Sequence, residues 1–291
     1  MRELRKISII GLGLLGGSIG LAVLRAFAGV KTVGYSHRAV TRRKARKLAV
    51  VTEVTDDIKK SVSDADLVIL ATPICTFEEI FRAIADELPK GCVVTDVGST
   101  KVRPHQWAAK RLPGTIHYVG SHPIAGSEQR GVEFARDDLF DRALCILTTT
   151  PKTNKRAVQA LKKFWSALGC CVKIMTPAEH DKIFASVSHL PHIAAAALIN
   201  VNDSETLKFA GEGFIDTSRI ASGPANIWAD VFATNVNNTV EGIDRLTAEL
   251  KKLRRAIRSG DKKQVEKLLR KAADKRAELI NYKIRKKEII S

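Results

Sequence analysis

The sequence predicts an α/β domain over residues 1–174 followed by an all-α domain over residues 175–291. Three observations predict it. Short apolar runs alternate with helical stretches as far as Met175, and a glycine-rich turn follows the first of those runs. From "TPAEHD" onward the strand signal stops and apolar residues recur at helical spacing. At 291 residues and 45% hydrophobic content, the chain can bury the cores of two ordinary domains.

The first element is "KISIIGLGLLGGSIGLAVLRAF", which reads as strand, turn and helix. Ile7, Ile9 and Ile10 make a short buried strand. Gly11, Gly13 and Gly16 follow as G-x-G-x-x-G, and Leu14 and Leu15 open the helix. The first glycine permits a tight turn, the second lets a pyrophosphate approach the backbone, and the third lets helix pack on strand. This is the dinucleotide-binding fingerprint of a Rossmann-type domain, in its required context. The basic start "MRELRK" and the 18 uncharged residues Ile7 to Leu24 imitate a signal or membrane anchor. Gly11, Gly13, Gly16, Gly17 and Gly20 argue against it, since each costs about 1 kcal/mol inside a helix. No other run is expected to be long and apolar enough to span a bilayer, so a soluble, cytoplasmic protein without a membrane partner is expected.

The second strand lies in "KTVGYSHRAVTRRKARKLAV". An NAD enzyme usually has an acidic residue about 20 positions beyond the glycines, on the ribose 2′-hydroxyl. Here Ser36 holds that place, followed by His37, Arg38 and, further on, Thr41, Arg42 and Arg43. A carboxylate would repel a 2′-phosphate, whereas these groups would bind it. The expected cofactor is NADP, with NAD possible. Further strands are "ADLVILATP", which ends at Thr72 and Pro73, and "GCVVTDVGSTK", which ends around Ser99. "HYVGSHPIAGSE" is read as one strand whose terminal loop carries His122, and "ALCILTTT" and "CCVKIM" follow. Ligands of such sheets bind beyond the carboxyl ends of the strands, where Ser99 and His122 can both face the nicotinamide end of a cofactor.

In the second half, Thr176, Pro177 and Glu179 form a capping-box start. "HDKIFASVSHLPHIAAAALINV" is read as a long helix interrupted by Pro191 between His189 and His192. Two histidines flanking such a kink are unusual; the bland reading is that one is exposed and the other caps a freed carbonyl. A glycine-rich loop with Arg219 and a helix with Trp228 come next. Five cysteines show no CxxC spacing, so neither a disulfide framework nor a metal site is expected, and Cys170 and Cys171 are read as small residues of a buried strand. The net charge of +17 is concentrated beyond Lys251, where 16 Lys or Arg face 5 Asp or Glu. Apolar residues at helical spacing make this a solvated face of amphipathic helices; with no aromatic interleaving, nucleic acid is not the expected partner. A broad helical surface points to a homodimer through the second domain.

The stretches "GLGLLGGS", "ATP", "DVGSTK", "GSHPIAGSE", "HDKIFASVSHLPH", "GFIDTSR" and "NIWADVF" together resemble the prephenate/arogenate (cyclohexadienyl) dehydrogenases of tyrosine biosynthesis, over roughly residues 5 to 245. The resemblance implies oxidative decarboxylation of prephenate or arogenate to 4-hydroxyphenylpyruvate or tyrosine, with hydride transfer to NADP or NAD. It implies that His122 is the base for the C4 hydroxyl proton, an imidazole being titratable near neutrality. It implies that Ser99 bonds the same hydroxyl or the histidine, and that Arg219 holds a substrate carboxylate. His192 and Trp228 match substrate-pocket positions, His189 and Asp181 positions behind them, and Glu128 a pocket-rim position. Two other readings stand beside it. One is a dehydrogenase of another small acid, with Lys101 as the nearest candidate proton carrier. The other is an NADP-sensing regulator whose basic tail binds nucleic acid.

Overall fold

The computed structural model describes residues 4–125 and 129–285. Nine strands are present among them: β1 (Lys6–Ile10), β2 (Lys31–Tyr35), β3 (Glu53–Thr55), β4 (Leu67–Leu70), β5 (Val93–Asp96), β6 (His117–Tyr118), β7 (Gly120–Pro123), β8 (Leu144–Thr148) and β9 (Cys171–Met175). The α/β part carries α1 (Leu14–Ala26), α2 (Ala39–Lys47), α3 (Ile58–Val62), α4 (Phe77–Ile84), α5 (Val102–Arg111) and α6 (Lys155–Ala167). Helices alone follow: α7 (Pro177–Phe184), α8 (Leu190–Asn200), α9 (Ser204–Leu207), α10 (Glu212–Ser218), α11 (Ala225–Thr234), α12 (Val236–Arg258) and α13 (Lys262–Arg285).

The first six strands form a parallel sheet in the order β3-β2-β1-β4-β5-β6. The order reverses between β1 and β4, the switch point at which Rossmann-type sheets bind dinucleotides. β1 is buried throughout, and its alternate residues face two cores. Ile7 and Ile9 pack with Ile19, Phe164 and Trp165; Ile10 packs with Val68, Phe77 and Phe81.

Two glycines make the switch point possible. Gly11 has φ +102°, and a Cβ there would stand 2.6 Å from the Ala71 carbonyl at the end of β4. A Cβ on Gly16 would stand 1.9 Å from the Gly11 carbonyl. Gly16→Ala must therefore push α1 off the turn. Its expected result is loss of dinucleotide binding, measured by nucleotide-fluorescence titration, with a lowered melting temperature.

β7, β8 and β9 form a second, three-stranded sheet, with β7 antiparallel to β8 and β8 parallel to β9. Here the structure corrects the sequence reading. "HYVGSHPIAGSE" is two strands in two sheets, and His122 is inside β7, opposite Ile146 of β8, rather than on a loop. The physical reason is the pairing available: β6 completes the parallel edge after two residues, and the chain beyond it finds its ladder on β8. Cys170 is buried as expected, but Cys171 is exposed at the start of β9.

The proline helix is also different from expectation. α7 does not break at Pro191. It passes through a π-helical turn, Ala185–His189, straight into α8, with Pro191 in the first turn of α8. A wider turn absorbs the backbone bond that proline cannot make. It also shifts the phase by one residue, so that His180, Phe184, His189 and His192 are all turned inward. His189 and His192 are both buried, not one in and one out. The joined rod Pro177–Asn200 has 24 residues and a mean hydropathy of 1.3 in its most apolar window. It is thus long and apolar enough to cross a membrane, contrary to expectation, because the π turn makes one helix where proline suggested two. One face of it is buried, where His180, Asp181 and Phe184 meet His122, Lys101 and Val102, and His189 meets Trp228, Phe232 and Asn235; Ile183, Val187 and Val201 are exposed.

By contacts the chain divides into two compact units, residues 1–236 and 237–291. The second consists of most of α12 and of α13, joined at Gly260 with φ +67°. Leu250, Ile257, Leu269 and Leu279 are exposed on it, and α13 has no buried residue.

Candidate functional site

At the switch point, α1 starts at Gly13 with no side chain capping it. Nothing lies within 4 Å of where a Cβ of Gly13 would be. Open space over an uncapped helix N-terminus fits a pyrophosphate, because the free amides and the helix dipole both favour an anion there. Leu14 and Leu15 form the half-buried first turn, and Thr72 and Pro73 follow β4 opposite them. The Thr72 and Thr76 hydroxyls share a 2.8 Å hydrogen bond.

At the end of β2, Ser36 is buried, and its hydroxyl accepts the Arg38 backbone N–H at 3.3 Å. His37 and Arg38 are exposed and Thr41 half-buried. Arg42, suggested for the same pocket, donates to the Ser36 and His37 carbonyls, each at 2.9 Å, and pairs with Asp56 at 2.8 Å. It builds the loop instead of standing ready for a phosphate.

His122 sits on β7 beside β5. The two strands are tied by the Thr95 and Ser121 hydroxyls at 2.6 Å, and the Trp165 indole donates to the same Ser121 hydroxyl at 3.0 Å. Beneath lies a buried ion pair. Lys101 Nζ pairs with Asp96 and donates to the Ser121 carbonyl at 2.6 Å, and Tyr118 donates to the other Asp96 oxygen at 2.6 Å. Lys101 is fully buried. Its Nζ, the nearest lysine candidate for a proton carrier, is engaged with Asp96 and the Ser121 carbonyl.

His122 Nδ1 is 2.8 Å from His180 Nε2, and His180 Nδ1 is 2.8 Å from Asp181 Oδ1. Asp181 in turn accepts the backbone N–H groups of Lys101 at 2.7 Å and Val102 at 2.9 Å, capping α5. Asp181 thus ties the His122–His180 pair to the start of α5. Burial, then the neighbouring His180, Lys101 and His189, push His122 well below the ordinary histidine range. Burial and Lys101 push His180 down to about 2, and burial pushes His189 down to about 4. All three imidazoles are neutral at neutral pH.

Ser99 occupies the half-buried loop after β5, next to two ties into the helical half. Thr100 donates to the Thr234 hydroxyl at 2.8 Å, and the Lys101 amide bonds Asp181. Further along the helix, His192 stacks on Trp228 with ring centroids 3.8 Å apart. His189 meets the edge of Trp228 at 6.3 Å and accepts from Asn235 Nδ2 at 3.3 Å. His192 bonds the Ile220 backbone, placing that stack beside Arg219, which is itself exposed. His189 Nε2 and His192 Nδ1 are buried without a hydrogen-bond partner. Orphaned polar atoms cost about 1–3 kcal/mol each and cluster where a ligand completes the set. Glu128 lies outside the described residues. His180 was not singled out from the sequence; the available signal was its place beside Asp181 and four residues before Phe184, one helical turn apart.

A cavity of about 560 Å³ opens elsewhere, at the amino ends of β1, β4 and β5, among Arg5, Asp66, Lys90 and Phe164. It is at the opposite end of the sheet from the glycine turn.

Comparison with known proteins agrees with this arrangement. Residues 19–174 match the family model described as prephenate dehydrogenase, nucleotide-binding domain, and residues 176–271 match prephenate dehydrogenase, dimerization domain. The chain is 35% identical over 281 residues to a prephenate dehydrogenase of Bacillus subtilis, covering 93% of this chain and 75% of that one. It is 33% identical over 268 residues to a cyclohexadienyl dehydrogenase of Zymomonas mobilis, covering 90% and 91%. Among solved structures, prephenate dehydrogenase from A. aeolicus in complex with hydroxyphenyl propionate and NAD+ superposes with a TM-score of 0.89 at 32% identity, covering 95% of this chain and 99% of that one. The chain belongs to the prephenate dehydrogenase family and is a nicotinamide-dinucleotide-dependent oxidoreductase.

Proposed function

We propose that this chain converts prephenate or arogenate to the corresponding 4-hydroxyphenyl product in tyrosine biosynthesis, with His122 as general base and NADP as the preferred cofactor. The observation that carries the reading is a neutral, oriented imidazole on β7 at the junction of the α/β sheet with the His189–His192–Trp228 cluster. A neutral imidazole can accept a proton without first losing one.

The bound dinucleotide supplies the acceptor for the hydride that leaves C4. His122 Nε2 takes the C4 hydroxyl proton, so the C–O bond becomes a carbonyl as the hydride departs. Ser99 orients that hydroxyl. The ring carboxylate then leaves as CO2, and its bonding pair aromatises the ring, which regains a proton on oxygen. Arg219 holds a substrate carboxylate in its guanidinium fork, and Trp228 with His192 walls the ring. Glu128, His189 and Asp181 complete the proposed set. Gly11, Gly13, Gly16, Leu14, Leu15, Thr72 and Pro73 cradle the dinucleotide.

The NADP preference rests on the neutral Ser36 at the end of β2, with His37, Arg38 and Thr41 around it. The test is a rate matrix of prephenate and arogenate, each with NAD and NADP, followed at the reduced-nicotinamide absorbance. Turnover favouring NADP is expected, and Ser36→Asp should reverse it by roughly tenfold or more in kcat/KM, since one charge facing a phosphate is worth more than 1.4 kcal/mol. Preference for NAD in the parent protein would overturn the cofactor assignment alone. Folded protein inactive in all four combinations would overturn the substrate assignment.

The boundary between the cofactor-binding and helical parts is placed at Met175, where the last strand ends. Exposed Ile183, Val187 and Val201 on one apolar rod support a homodimer built through the helical part.

A further inference from the structure

The hydrogen bonds around His180 determine which nitrogen of His122 carries a proton. Asp181 anchors the network. Its Oδ1 accepts the Lys101 amide and its Oδ2 accepts the Val102 amide. A carboxylate receiving a backbone N–H on each oxygen is held as an acceptor. His180 Nδ1, 2.8 Å from Oδ1, must then be its donor. A neutral imidazole has a single N–H, so His180 Nε2 presents a lone pair. That lone pair faces His122 Nδ1 at 2.8 Å. Two lone pairs cannot share that distance, so His122 Nδ1 carries the hydrogen. His122 Nε2, which has no partner among the described residues, is left as the bare nitrogen. Ring packing holds the geometry. Phe184 stacks on His180 at 4.5 Å and lies against His122 at 4.8 Å.

We infer that His180, anchored by Asp181, is a positioning residue that locks His122 in the Nδ1–H tautomer and so aims its basic Nε2 at the substrate hydroxyl. The inference rests on His122 being the base. Tautomer control of this kind matters because an imidazole with the hydrogen on the wrong nitrogen cannot accept the proton at all.

Two variants separate the lock from mere packing. In His180→Gln the side-chain carbonyl can occupy the place of Nε2 and accept from His122 Nδ1, while the tie to Asp181 is lost. In His180→Asn the amide reaches only the place of Nδ1, so Asp181 is satisfied and His122 is not. Long-range proton–nitrogen NMR on protein labelled with ¹⁵N-histidine reads the tautomer directly, with His122→Asn assigning the signal. Expected are an Nδ1–H His122 in the parent protein and in H180Q, a mixed tautomer in H180N, and a kcat lowered roughly tenfold or more in H180N and several-fold less than that in H180Q, with KM nearly unchanged. An Nε2–H His122 in the parent protein would overturn the inference even if neither variant folds. So would an H180N protein that keeps both the parent tautomer and the parent kcat. The spectrum reports on the lock whether or not His122 is the base, so a catalytically competent His122→Asn would overturn the proposed base and not be confused with a failed lock.

Discussion

His122→Asn is expected to lower kcat by about a thousandfold if His122 is the proposed base, within the range that general acid–base groups contribute. Asparagine keeps a polar group of similar reach on β7, so the loss is of proton acceptance rather than of packing. KM for the substrate and the affinity for the dinucleotide stay close to the parent values, since the glycine turn and Arg219 are untouched. The pH profile offers a second measure. Burial, His180, Lys101 and His189 all hold the His122 pKa well below 6.5. A base works when deprotonated, so kcat/KM should be flat from pH 6.5 upward and fall only further into acid. A parent profile with its acid limb at or above pH 6.5, or an asparagine variant within fivefold of the parent, would remove His122 from the role.

The second large effect is acid destabilisation. His180 and His189 are fully buried, with folded pKa values of about 2 and about 4. Both lie below the unfolded value of about 6.5. A depressed histidine pKa means that the unfolded chain binds the proton first. Stability is therefore complete above pH 6.5 and is lost as pH falls through the window between the unfolded and folded values. At pH 5 each of the two histidines costs about 2 kcal/mol. His105, pushed down to about 4 by burial and Lys101, and His122 act in the same direction. Asp181, whose pKa burial raises, opposes them. Against a usual stability of about 5–15 kcal/mol, this sum should bring the protein close to unfolding by pH 4.5. Chemical denaturation at pH 7.5 and at pH 5 measures it. His189→Gln should flatten the slope, and equal stability at both pH values would contradict the neutral buried histidines.

Much of this protein could be read along the chain because the signals are local. The turn Gly11–Gly16 announces itself through residues within six positions of one another, each with its own steric reason. Alternation of apolar runs with helical stretches gave the α/β part, and the capping box at Thr176 gave the start of the helical part. The lack of an acidic residue at Ser36 was visible by counting from the glycines. Motif order along the chain gave the family, and with it the roles proposed for His122, Ser99 and Arg219.

What only the tertiary structure decided depends on partners far apart in sequence. Strand β7 leaves the main sheet because its ladder partner, β8, comes some 25 residues later. Pro191 looks like a break until the π turn shows the backbone accommodating it, and the wider turn then faces both His189 and His192 inward. Lys101 looks like a free candidate until it is found buried on Asp96. His180, 58 residues from His122, opens the stretch "HDKIFASVSHLPH", but nothing along the chain showed that it meets His122. Periodicity reports which face of an element is buried, but not which buried polar group will meet which. That pairing is settled when low dielectric makes an unmatched N–H or carboxylate too costly to leave, and only the folded chain brings the matching groups within hydrogen-bond reach.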